Sequence, residues 1–209
     1  MALCLKGGIF IERMRQKEDW RLMSLSGKQE YTVQDILDLP EGERAELIDG
    51  EIFFMASPTT THQEIIGWIY TEIRRYISER NGKCRVFISP FAVFLKNDDK
   101  NYVEPDVCVI CDRDKLDDQG CHGAPDWVIE IVSSSSRRMD CYRKLSAYQE
   151  AGVREYWIVD SMKKTIVVYD LEREEMPVVH PFGDLVKVGI YEDFAIDFSQ
   201  MTDYDYDSK

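Results

Sequence analysis

Two acidic residues stand in surroundings that ordinarily exclude them. Asp106 lies within residues 103–110 (VEPDVCVI) and Glu130 within residues 127–132 (WVIEIV), each flanked on both sides by strand-forming apolar residues. Burying an unpaired carboxylate is costly, so each position calls for an explanation. On neighbouring strands the two carboxylates can share one hard cation such as Mg2+, which is held through one or two carboxylates together with substrate phosphate oxygens. The plainer alternative is that each acid reaches a solvated sheet face or pairs with an arginine. Asp126 is a rival partner for Glu130, but four residues along one strand span about 13 Å, too far to share an ion. A residue on an adjacent strand comes much closer, so Asp106 is the better partner. Asp126 follows Pro125 at a strand start, where turn chemistry accounts for it.

Arg137, Arg138, Arg143 and Lys144 come next, with Asp140 set against them, a local reversal of sign in an acidic chain. Asp140 and Lys144 are four residues apart and suit an exposed helical ion pair worth about 0.2–0.5 kcal/mol. The other reading sends Lys144 to the carboxylate pair, where an ammonium would stabilise charge on a phosphate or orient an attacking water. His62, at the start of a helix, is placed to contact a phosphate or a metal, although polar residues at helix starts are usually solvated. Cys108 and Cys111 form a CxxC with Cys121 and His122 downstream. A zinc site needs a turn there, yet residues 107–111 read as a strand, whose i and i+3 side chains face opposite ways. Buried thiols are the better reading.

The 209 residues are 44% hydrophobic and 31% charged, the profile of one ordinary globular domain with extensions. No run is long enough for a membrane span, so no membrane partner is expected. Lys+Arg 26 against Asp+Glu 39 gives a net charge of −13. That excludes a passive nucleic-acid coat, whose affinity comes from neutralising phosphates, but not an enzyme that brings a divalent metal to them. Six cysteines with no small-secreted-domain pattern, and no convincing signal segment, point to reduced thiols in a cytoplasm. There is no GxGxxG, GxxxxGK[ST] or GxSxG, so nucleotide-binding and serine-hydrolase readings lose their usual support.

Several elements must position these groups. Residues 1–28 read as a loose extension, with Met14 and Met23 as further starts; the domain runs over 29–198, and 199–209 is an acidic tail. Thr32 and Asp35 predict a short helix at 33–38, ended by Pro40. Asp49-Gly50 between residues 44–49 and 51–56 is a strong hairpin signal. Thr61 and Glu64 have capping-box spacing, and Ile65, Ile66, Ile69, Ile73, Tyr76 and Ile77 recur at helical spacing, predicting a helix over about 62–80. Strand-like runs follow at 84–95 (interrupted at Ser89-Pro90), 103–111 and 126–132, with a loop from Asp112 to Pro125. A helix near 137–151 is closed by Gly152. Strands at 154–159 and 164–170 and a weaker one at 184–190 complete an α/β arrangement, a mixed sheet flanked by helices.

Pro105-Asp106 followed by Glu130 resembles the first part of the PD-(D/E)xK signature of restriction-endonuclease-like nucleases. That signature's lysine lies two residues after the glutamate, where this chain has Val132. The wider text is similar to the Uma-two family of endonucleases in that superfamily: residues 46–51 (ELIDGE), Ser57-Pro58 with His62, Pro105-Asp106-Val107, residues 125–130 (PDWVIE), 136–148 (SRRMDCYRKLSAY) and 151–160 (AGVREYWIVD). The resemblance spans roughly residues 31–171. It implies a restriction-endonuclease-like αβββαβ core with an N-terminal hairpin, and cleavage of phosphodiesters, in DNA before other nucleic acids. It implies a divalent ion, Mg2+ or Mn2+, on Asp106 and Glu130 with the Ile131 carbonyl as an extra ligand. Lys144 would be the signature's lysine migrated to the following helix, and Glu46 a further supporting acid. A homodimer follows by analogy, since two sites cut two strands. A nuclease fold that binds without cutting is the alternative, favoured by Val132 and the negative charge. An adaptor using the aromatic-rich sheet ranks last, because strand aromatics are mostly core.

Overall fold

The computed structural model describes residues 30–96, 98–132 and 143–203. The N-terminal extension, the expected helix start near 137, Asp140 with its proposed Lys144 pair, and the last residues of the tail lie outside them.

A short helix α1 (Val33–Leu37) begins where expected, with the Asp35 carboxylate accepting from the Thr32 backbone N–H at 2.8 Å and from its hydroxyl at 3.0 Å. Strands β1 (Ala45–Ile48) and β2 (Glu51–Phe54) form the hairpin around Asp49-Gly50, both with positive φ (49° and 73°) as a tight primed turn requires. Helix α2 (Thr60–Glu79) follows and buries Ile65, Ile66, Ile69, Ile73, Tyr76 and Ile77. Its cap is Thr59, whose hydroxyl accepts from the His62 backbone N–H at 3.2 Å, not Thr61 as the capping-box spacing predicts. The helix starts two residues earlier because Thr60 and Thr61 adopt helical backbone.

Strands β3 (Arg85–Ile88) and β4 (Val93–Phe94), parted at Ser89-Pro90, go to different sheets. Strands β5 (Tyr102–Val103) and β6 (Val107–Ile110) come next. The 112–125 segment, expected as a loop, contains a 3-10 turn at Arg113–Lys115 and a small hairpin of β7 (Leu116–Asp117) and β8 (Gly120–His122). Gly120 is required there: a Cβ would meet the Ala92 carbonyl oxygen at 2.3 Å. Strand β9 (Trp127–Val132), helix α3 (Leu145–Ala151), β10 (Glu155–Asp160), β11 (Thr165–Asp170), β12 (Val178–Pro181), β13 (Leu185–Lys187) and β14 (Ala195–Asp197) complete the order. Strands β12 and β14 have no clear sequence signal.

The main sheet has the order β12-β11-β10-β9-β6-β3, with β9 and β10 parallel and the other neighbours antiparallel. A second sheet, β2-β1-β5-β4-β8-β7, packs beside it, and β13 pairs with β14. The central strands bury both faces. Val107, Val109, Trp127, Ile129 and Ile131 join α2 in one core; Cys108, Ile110, Val128 and Val132 join Ala147 and Tyr148 of α3 and Ile48, Val93 and Val103 of the second sheet in another. Strict alternation therefore points Asp106 and Glu130 to the same side, toward α3 and the second sheet.

Reduced thiols throughout is corrected at one pair. The antiparallel register Arg85↔Ile110 brings Cys84 opposite Cys111, and their sulfurs are bonded. Cys108 and Cys121 are free and buried, and burial pushes both thiols up, Cys121 to about 11. Among the described residues no helix is long and apolar enough to cross a membrane.

A buried acid pins the far end of the main sheet. Glu155 accepts from Trp157 Nε1 at 2.7 Å, the Gly189 N–H at 3.0 Å and the Ile190 N–H at 2.9 Å. Burial holds its carboxyl above the usual range while these bonds pull it back. Glu155→Ala leaves the three donors without their acceptor, and an unmade buried hydrogen bond costs about 1–3 kcal/mol. The expected loss is about 3 kcal/mol, read as a lower urea midpoint; an unchanged midpoint would contradict the arrangement.

Candidate active site

The pairing register does what spacing alone cannot. Strands β6 and β9 are antiparallel with Val107 opposite Ile129, and one residue further the same register sets Asp106 against Glu130. The two side chains lock to each other's strands. Asp106 Oδ2 accepts from the Ile131 N–H at 2.8 Å, and the Asp106 backbone nitrogen lies 3.5 Å from Glu130 Oε2. Both acids are largely buried, Asp106 at 9% and Glu130 at 3% exposure. Neither is an exposed sheet-face charge.

Lys144 arrives from the turn that opens α3. Its Nζ sits 2.9 Å from Glu130 Oε1 and 2.8 Å from Glu46 Oε2, so the three form one buried charge cluster. Glu46 reaches it because β1 faces this side of the main sheet, and Glu46 Oε1 accepts from the Glu104 backbone N–H at 3.0 Å. The structure thus brings Asp106, Glu130, Lys144 and Glu46 together. Val132, in the place of the signature's lysine, is packed in the core.

His62 Nε2 lies 3.1 Å from Asp106 Oδ2, so the start of α2 is tied to the site. Asp126 belongs elsewhere: it accepts from the Cys111 N–H at 2.8 Å and pairs with Arg154 at 3.3 Å. Four neighbours had no role assigned from sequence: Tyr148, Glu104, Tyr102 and Arg44. Tyr148 donates to Glu130 Oε1 at 2.7 Å, and being four residues after Lys144 it shares that residue's helix face, which is the signal that could have found it. Burial first, then the Glu130 charge, pushes its phenol well above the usual range, so it stays a donor. Glu104 holds Tyr102, whose hydroxyl donates to it at 2.9 Å, and pairs with Arg44, which also donates to Ser89 Oγ at 2.7 Å. No short-range pattern joins Arg44 to Glu104; only the fold does.

Among the described residues no group of three or more His, Cys, Asp or Glu is placed to hold a metal ion by itself. Two hard carboxylates on adjacent strands suit instead a cation that keeps waters and takes substrate oxygens, as Mg2+ does. They do not suit zinc, which wants nitrogen and sulfur ligands.

The mixed central sheet with helices packed on it is of the restriction-endonuclease-like class, and Lys144, reaching Glu130 from the following helix, departs from the signature's own lysine position, which Val132 occupies. The chain belongs to the Uma2 (Uma-two) family, whose model, described as "Putative restriction endonuclease", matches residues 33–199. In fold it is similar to the crystal structure of "a putative nuclease belonging to DUF820" from Anabaena variabilis ATCC 29413, with a TM-score of 0.68 and 21% identity, covering 83% of this chain and 98% of that one. No curated protein matches it.

Proposed function

We propose that this protein is a divalent-metal-dependent endonuclease that hydrolyses phosphodiester bonds in DNA. The observation that supports it best is the placement of Asp106 against Glu130 with the Lys144 ammonium 2.9 Å from the glutamate. Asp106 and Glu130 would hold the cation, Mg2+ or Mn2+, with the Ile131 carbonyl as a further oxygen. When bound, the ion supplies Lewis acidity, polarising the phosphodiester and lowering the pKa of a water. The chain's own groups do the rest. Lys144 offsets negative charge that develops on the phosphate and helps place the water. Glu46 Oε2, 2.8 Å from the Lys144 ammonium, helps keep it at the site. The burial of the cluster makes each of these charges act through a poorly screened medium. Cutting both strands of a duplex needs two such sites, which a homodimer provides.

Labelled DNA incubated with Mg2+ is expected to be cut by the wild type and left intact with EDTA. Cleavage that survives EDTA would overturn the metal requirement. Metal binding without cleavage of any DNA or RNA substrate would select the non-cutting module, the reading that Val132 and the −13 charge favour.

A further inference from the structure

The two oxygens of Glu130 are told apart by their surroundings. Oε1 receives both the Lys144 ammonium at 2.9 Å and the Tyr148 hydroxyl at 2.7 Å, whereas Oε2 is the oxygen on the Asp106 side. The two donors reach the same atom because they are one helical turn apart on α3. The Tyr148 ring is itself fixed: it is fully buried and packs against Tyr156 with ring centroids 5.1 Å apart. A phenol held this way has no rotameric freedom to lose when it bonds the carboxylate.

We propose that Tyr148 is a positioning residue of the metal centre: its hydroxyl holds Glu130 Oε1 back toward α3 and so turns Oε2 toward Asp106 and the shared ion. The proposal rests on the metal-dependent reading above. Lys144 alone does not fix the carboxylate plane, because an ammonium has three rotatable donors and no plane of its own, so its bond tolerates rotation of Glu130 about its last torsion. A second donor on the same oxygen, carried by a rigid ring, removes that rotation. Outer-shell partners of this kind are worth about 10- to 100-fold in metal affinity.

The test is Mn2+ titration followed by the paramagnetic resonance signal of the free ion, on wild type, Asp106→Ala and Tyr148→Phe, each with a thermal melt. Phenylalanine keeps the ring and removes only the hydroxyl. The expected result is tight binding by the wild type and loss in Asp106→Ala. Folded Tyr148→Phe should bind about 10- to 100-fold more weakly. A folded Tyr148→Phe that binds Mn2+ as the wild type does would overturn the proposal. So would a variant that fails to fold, since the hydroxyl would then serve the core and not the ion. If the wild type itself binds no Mn2+, the metal-dependent reading fails first and this one goes with it, an outcome distinct from binding that is indifferent to Tyr148.

Discussion

Asp106→Ala is expected to lose metal-dependent DNA cleavage by about 10^3-fold or more. The residue would supply one of the two carboxylates of the metal site, and several kcal/mol of transition-state stabilisation depend on the ion they hold; about 4 kcal/mol corresponds to that factor. The fold should survive. The change frees the Ile131 N–H, which Asp106 Oδ2 accepts at 2.8 Å, and removes the neighbour of His62. One buried donor without its acceptor costs about 1–3 kcal/mol, a small shift in melting temperature for a chain of this size. Cleavage and melting therefore separate the two effects. A folded Asp106→Ala variant with wild-type cleavage would remove Asp106 from the site and with it the proposed chemistry.

The second large effect falls on stability. Lys144 is 4% exposed and lies between Glu46 and Glu130, themselves 4% and 3% exposed. Lys144→Met preserves the length of the side chain but leaves two buried carboxylates without their cation. Breaking a buried ion pair from one side typically costs about 3–5 kcal/mol, or roughly 10 °C in melting temperature. Adding Glu46→Gln to Lys144→Met should recover part of the loss, since one of the stranded charges is then gone. Equal stability of Lys144→Met and wild type would show that the cluster is not the charged arrangement seen here. Cleavage should fall as well, by about 10^2- to 10^3-fold, the usual scale for removing one donor that meets developing charge.

The placement of the candidate site's acids was legible in the sequence because Glu130 sits in a strand and Asp106 immediately before one. Residues 107–110 and 127–132 alternate between two cores, so their side-chain directions follow from a period of two, and Asp106 and Glu130 stand out as carboxylates on apolar faces. The hairpin at Asp49-Gly50 and the apolar stripe of α2 were equally plain, since both are local: a turn needs two residues of positive φ and a helix face repeats every turn. Local signals also erred. Thr61 and Glu64 have the spacing of a capping box, but Thr59 supplies the cap. Capping is decided by which residue leaves helical backbone, and spacing does not report that. The segment 112–125, polar enough to read as loop, found strand partners because β8 pairs with β4 far back in the chain.

By itself, then, the sequence determined most of the main elements, the face on which each acid lies and the family to which the chain belongs, but not the β7–β8 hairpin or strands β12 and β14. The tertiary structure decided who meets whom. The register that sets Val107 against Ile129 brings Asp106 to Glu130, and a second sheet carries Glu46 to Lys144. The helix after the undescribed 133–142 segment presents Lys144 and Tyr148 to one oxygen. Cys84 meets Cys111 for the same reason. Side-chain direction is a property of a few consecutive residues, whereas distance between elements depends on pairing and packing summed over the whole core, which no short stretch of sequence contains.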